Sequence, residues 1–212
     1  GCHKGGTLFT FVMEMEKLSF VEAAQMLAEK AGVQLAVEEG GSTRRDAYLE
    51  LYRRVSGTFQ HLLMHHAEGA AARSYLESRG LHADTWEGFK LGYAPSDRAW
   101  LYRFLREKNF SAEFLKESGL FGGREGSALF RGRVVFPIHN HRKEIVAFGG
   151  RALRPGIQPK YLNSPETEWF RKRETLYGAP GVYQEIRREK SFVLVEGYLD
   201  VLALWQAGVR HC

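Results

Sequence analysis

From Tyr48 onward apolar residues return every three or four positions: Tyr48, Leu51, Tyr52, Val55, Phe59, Leu62 and Leu63, with His66 closing the series. That is the period of one buried helix face, sustained over about five turns. Shorter helices are predicted over Ala70 to Arg79, stopped at Gly80, over Asp97 to Lys108, and over Ala112 to Glu117 between Ser111 as cap and Gly119 as stop. Nearer the start, an apolar run covers Leu8 to Met13. Ser19, Phe20, Val21 and Glu22 read as a capping box, and Ala23, Ala24, Leu27 and Ala31 carry that helix to Gly32. Glu38 to Thr43 is polar and glycine-rich and reads as a linker.

Strand patterns are shorter. One is predicted over Phe89 to Tyr93. Another takes Val134, Val135, Phe136 and Ile138, with Pro137 marking an edge or a bulge. Ile145 to Phe148 forms its partner, and the short connection His139 to Glu144 predicts a hairpin. Gly122 to Gly126 reads as a plain turn, since no strand–helix context surrounds it. Pro159 to Thr167, bounded by Pro159 and Pro165, reads as an extended, ordered loop. Phe192 to Val195 is apolar without alternation, as in a strand buried on both faces of a parallel sheet. Tyr198 to Ala207, with Leu199, Leu202, Ala203 and Gln206 at helical spacing and Gly208 as stop, predicts a helix directly behind it. The fold class is therefore α+β passing into α/β.

The chain of 212 residues can bury a sizeable core, as one large domain or two small ones. Its 44% hydrophobic and 26% charged content are those of a globular protein. With no bilayer-length apolar run, no signal peptide and two distant cysteines, the expectation is a cytoplasmic protein without a disulfide framework. The ends read as cut: the chain opens without Met and stops at Cys212 after one strand–helix unit, which predicts further units beyond.

Charge sharpens the picture. Arg131 to Arg173 holds ten Lys or Arg against three Glu, leaving the remainder slightly acidic. Such a segment is the footprint of polyanion binding. Within it Arg131, Arg133, Arg151, Arg154 and Lys160 are the phosphate candidates, the arginines as planar forks and Lys160 as a point charge. Gly149 and Gly150 would let a ligand approach the backbone. Tyr161 and Asn163 could stack on or hydrogen-bond a base or sugar. Glu196 closes the last predicted strand, where open α/β sheets present their ligands, and Asp200 lies one helical turn behind it. Two such carboxylates beside a basic segment point to a divalent metal near phosphates. His61 and His65 have the i, i+4 spacing of metal ligands, but no Glu or Cys completes the set, so packing or solvent exposure is the better account.

The blocks FRGRVVFPI (130–138), FGGR (148–151), PKYLNSPET (159–167) and VEGYLD (195–200), in this order and spacing, resemble bacterial DnaG-type DNA primases. The likeness extends through SYLESRGL (74–81) and FKLGYAP (89–95), and GCHKGGTLFTFVM (1–13) looks like the end of that family's zinc-ribbon domain. The resemblance implies four parts: the end of a zinc domain over 1–37, the linker over 38–43, the N-terminal subdomain of an RNA polymerase core over 44–188, and the first strand–helix unit of a truncated Toprim domain over 189–212. It implies Zn2+ held in the complete protein with Cys2 as one ligand, and Mg2+ or Mn2+ at Glu196, with Asp200 supporting. Lys160, Arg151, Arg131 and Arg133 would hold nucleotide phosphates and template backbone, and Tyr161 and Asn163 would position the nucleotide. The implied partners are a single-stranded DNA template, ribonucleoside triphosphates, the RNA primer and a replicative helicase, the last through a region outside these residues. These 212 residues alone are expected not to polymerise.

Two other readings share features with this one. Another Toprim enzyme, a topoisomerase or nuclease, would share the acidic unit but gives PKYLNSPET no role. A non-catalytic single-stranded DNA-binding module would need only the basic segment. The polymerase reading requires Glu196 and the cationic hairpin-and-loop to face one another across one cleft.

Overall fold

A computed structural model describes residues 7–16, 18, 20–33, 43–123 and 126–212. The chain divides into two compact units, Gly1–Thr43 and Arg44–Cys212. In the first, helices α1 (Leu8–Glu16) and α2 (Phe20–Ala31) run in succession, with Leu18 and Ala23 buried. Gly32 follows α2 at φ +66°, the left-handed stop expected of a glycine there. Cys2, Ser19 of the predicted capping box and most of the linker, residues 38–42, lie outside the described residues.

The second unit is built on α3 (Arg44–His65), whose buried face is the predicted one: Tyr48, Leu51, Tyr52, Val55, Phe59, Leu62 and Leu63. Helices α4 (Ala70–Ser78) and α5 (Ala83–Gly88) follow, then the short strand β1 (Gly92–Ala94). The predicted strand over Phe89 to Tyr93 is thus shorter and displaced, because α5 continues to Gly88 and Lys90 turns the chain at φ 53°. Helix α6 (Trp100–Glu107) starts three residues late, Asp97 Oδ1 accepting from Ala99 N at 2.9 Å ahead of it. Helix α7 (Ala112–Glu117) is as predicted, Ser111 Oγ accepting from Phe114 N at 3.1 Å. Phe121 and Ala128, on either side of the predicted glycine turn, form an antiparallel bridge, while residues 124 and 125 of that turn lie outside the described residues.

Strands β2 (Arg133–His139), β3 (Ile145–Ala152) and β4 (Tyr161–Asn163) complete an antiparallel sheet of order β1-β2-β3-β4. β2 and β3 form the predicted hairpin. Pro137 sits opposite Phe148 on β3, beyond the last β1 pair, Gly92 with Val135, and the register shifts at Ile138/His139. A missing N–H is harmless where no second neighbour is bonded.

Pairing Phe136 with Gly149 and Pro137 with Phe148 assigns the two sheet faces. On one, Phe148 stacks on Tyr52 of α3, centroids 5.1 Å apart, with Phe59 edge-on at 6.1 Å. A Cβ at Gly92 would fall 2.5 Å from the Phe59 Cβ, so β1 lies against α3 only because that position is bare. On the other face, Phe136 stacks on Tyr198 at 4.8 Å. Both central strands are therefore covered on two sides, and β2 is buried at every residue.

Helices α8 (Val182–Glu189) and α9 (Tyr198–Gln206) close the unit. The sequence reading had no helix at α8. Gln206 secures α9 to α5: its Oε1 accepts from His82 N at 2.8 Å and Thr85 Oγ1 at 2.9 Å, and its Nε2 donates to Gly80 O at 2.8 Å. The predicted strand Phe192 to Val195 is not formed. Phe192 and Leu194 are exposed, and among the described residues the segment makes one inter-segment main-chain bond, Val193 N to His211 O at 3.0 Å. A strand exists by virtue of a neighbouring backbone, and no strand of this sheet runs beside it.

Candidate nucleotide and nucleic-acid site

Strand β4 directs Tyr161 and Asn163, two residues apart, to one side of the sheet edge. They line a cleft of about 700 Å3 together with Glu196, Tyr198, Asp200 and Tyr177. Glu196 sits on the bend between the extended segment and α9. It is exposed and has no hydrogen bond or ion pair to any described residue. Asp200, the third residue of α9, accepts from Gly197 N through Oδ2 at 3.1 Å. It thus caps its own helix through Oδ2, while Oδ1 has no bonded partner among the described residues.

Tyr198 ties this acidic corner to the sheet. Its hydroxyl donates to Asn163 Oδ1 at 2.6 Å. Its ring stacks on Phe136 and meets Tyr177 edge-on at 4.6 Å. Burial pushes its phenol up to about 12, so it remains a neutral donor. The ring also covers Gly149, where a Cβ would lie 2.5 Å from Tyr198 Cζ; Phe130 covers Gly150 in the same way, at 2.6 Å. The expectation that these glycines admit a ligand is corrected: they admit the protein's own aromatic rings.

The cationic residues form a group beside the cleft. Arg133 is buried, and its guanidinium donates to the carbonyls of Gly150 and Lys160 at 3.3 Å each and of Pro159 at 2.9 Å. Burial first, then the nearby Arg131 and Arg151 guanidinium groups, lower its pKa. With its donors on main-chain oxygens, Arg133 holds the β3 end and the Pro159–Lys160 turn together. Arg151 lies 5.6 Å from the Tyr161 ring centroid and 5.0 Å from that of Tyr75 on α4, a cation packed against two aromatic faces. Arg131 and Lys160 are exposed, and neither side chain has a bonded partner among the described residues. The expectation that Glu196 and the cationic hairpin-and-loop face one another across one cleft is corrected: Lys160, Arg131, Arg133 and Arg151 do not line the cleft that holds Glu196. Arg133 turns inward to main-chain carbonyls and Arg151 packs on Tyr75 and Tyr161, so the two surfaces only adjoin at Tyr161.

Tyr198 and Tyr75 were missed as site residues. Both fall inside quoted blocks, VEGYLD and SYLESRGL, yet periodicity marks them only as helix residues. His61 and His65 are exposed, their rings 5.3 Å apart, and no group of three metal-ligating side chains occurs among the described residues.

The sequence family described as the DNA primase catalytic core, N-terminal domain, matches residues 59–182, more than half of the chain. The chain belongs to this family. The CHC2 zinc finger family matches residues 1–43. A DNA primase from Treponema pallidum is 42% identical over 219 residues, covering 100% of this chain and 36% of that relative. The chain thus spans about a third of the length of this curated relative. The crystal structure of the Aquifex aeolicus primase, comprising zinc-binding and RNA polymerase domains, is 34% identical with a TM-score of 0.71, over 100% of this chain and 51% of that one. A DnaG primase catalytic domain bound to single-stranded DNA is 35% identical with a TM-score of 0.70, over 79% of this chain and 53% of that one. The primase core's mixed architecture of helices and antiparallel sheet is the fold class expected. No helix among the described residues is long and apolar enough to cross a membrane.

Proposed function

We propose that the complete protein is a DNA primase, a DNA-dependent RNA polymerase that copies single-stranded DNA into short RNA primers from ribonucleoside triphosphates. One observation carries the reading: the unpaired carboxylate of Glu196 shares a cleft with Tyr161 and Asn163, and that cleft adjoins a cluster of arginines. In this reading Tyr161 and Asn163 orient the nucleotide, Arg151 and Lys160 balance its phosphates, and Arg131 meets the template backbone. Arg133 acts by holding the loop that carries Lys160 and Tyr161. Template binding is supported by the related catalytic domain bound to single-stranded DNA. A helicase partner and the four-part division 1–37, 38–43, 44–188 and 189–212 rest on the family resemblance, and a cytoplasmic setting on the sequence reading above.

Glu196 and Asp200 suit Mg2+ or Mn2+, which take hard oxygen donors and are commonly held by one or two carboxylates plus substrate phosphates. Glu196 is free to accept such an ion, and Asp200 retains Oδ1. When bound, the ion would neutralise the triphosphate. Zn2+ belongs to the first unit, with Cys2 as one ligand.

Glu196→Gln in the complete protein tests the site. Primer synthesis should be lost while single-stranded DNA binding is kept. Continued synthesis by this variant would refute the assignment, and retained binding without any synthesis by the wild type would favour a non-catalytic module.

A further inference from the structure

Asn163 offers the cleft either a carbonyl oxygen or an NH2 group, and what it binds depends on which faces outward. Tyr198 decides this. Its hydroxyl donates to Asn163 Oδ1 at 2.6 Å, and a ring held between Phe136, Tyr177 and Gly149 has little freedom to turn. Asn163 Nδ2 has no partner among the described residues, yet it is not one of the sealed, unsatisfied atoms of the interior. The reverse orientation would turn the amide oxygen towards a cleft that already carries the Glu196 and Asp200 carboxylates.

We propose that Tyr198 is a positioning residue: it holds the Asn163 amide with NH2 towards the cleft, so that this position takes a hydrogen-bond acceptor oxygen of the incoming nucleoside triphosphate. The inference rests on the polymerase reading and adds to it. The acceptor is either a sugar hydroxyl oxygen or a phosphate oxygen.

The test is a double-mutant cycle in the complete protein, read as KM and kcat for ribonucleoside triphosphates in primer synthesis. Tyr198→Phe keeps the ring and its stacking and removes only the hydroxyl. It should raise KM about tenfold, the equivalent of roughly 1.4 kcal/mol, with kcat and template affinity unchanged. Asn163→Ala should raise KM by at least as much, and Tyr198→Phe should add nothing further in that background. The inference is overturned if the Tyr198→Phe effect persists undiminished beside Asn163→Ala, if either single variant leaves KM at the wild-type value, or if kcat falls in parallel with template binding. Inhibition by inorganic triphosphate separates the two acceptors: weakened inhibition in both variants assigns a phosphate oxygen, and unchanged inhibition a sugar oxygen. Failure of the polymerase reading looks different, since the wild-type protein would then make no primer at all.

Discussion

Arg133 and Lys160 meet through the main chain: Nη1 of Arg133 donates to the carbonyl oxygen of Lys160 at 3.3 Å, beside bonds to Pro159 and Gly150. One buried guanidinium thus fastens the turn that leads into β4. Lysine cannot reproduce this fork. Arg133→Lys should lower stability by about 1.5–3 kcal/mol, the worth of charged hydrogen bonds, and weaken nucleotide binding with it. Urea denaturation measures the first and primer synthesis by the complete protein the second.

Arg131 should behave in the opposite way. It is exposed and makes no bond to a described residue, so Arg131→Ala should leave the denaturation midpoint almost unchanged. If it meets one template phosphate, the slope of log affinity against log salt for single-stranded DNA should fall by about 0.7. A salt titration of the complete protein reads that slope.

His139 on β2 is buried, and neither ring nitrogen is bonded. Burial first, then the charge of Lys90, lowers its pKa to about 4. Below pH 6.5 the unfolded chain takes up a proton that the folded chain refuses, so stability falls with pH down to about 4. At pH 4.5 the loss from this residue is on the order of 2–3 kcal/mol. His139→Leu should flatten that part of the pH–stability profile, as measured by denaturation at pH 7, 5.5 and 4.5; an unchanged profile would place the ring in contact with water.

Gly149→Ala sets a Cβ 2.5 Å from Tyr198 Cζ, against a ring that stacks on Phe136 and meets Tyr177 edge-on. Overpacking of this kind is expected to lower stability by about 1–3 kcal/mol. It should also displace the Tyr198 hydroxyl from Asn163 and raise the nucleotide KM. A thermal melt and steady-state kinetics on the complete protein check both effects.

Much of the second unit was legible because its signals are local. The buried face of α3 needs only the period of Tyr48 to Leu63, and α7 only Ser111 and Glu117 with Gly119 beyond. The β2–β3 hairpin needs only two apolar runs and a short connection. Phe192 to Val195 misled for the complementary reason: an apolar run records that a segment suits a buried strand, while strand pairing depends on which backbone lies alongside. Helix α8 is short and none of its residues is fully buried, so its few apolar positions, Val182, Tyr183 and Ile186, gave too short a period to read as a helix.

The order of residues alone determined most of the element types, the basic segment and the blocks that mark the primase family, since each is written within a few adjacent positions. Folding in three dimensions decided which cations remain free, that Arg133 turns inward while Arg131 stays out, that Gly149 receives Tyr198 and not a ligand, and that Asn163 and Glu196 share a wall. Those facts depend on contacts between residues 17 to 49 positions apart, such as Arg133 with Gly150, Asn163 with Tyr198 and Gly149 with Tyr198. Packing geometry sets them, and no local period or spacing encodes it.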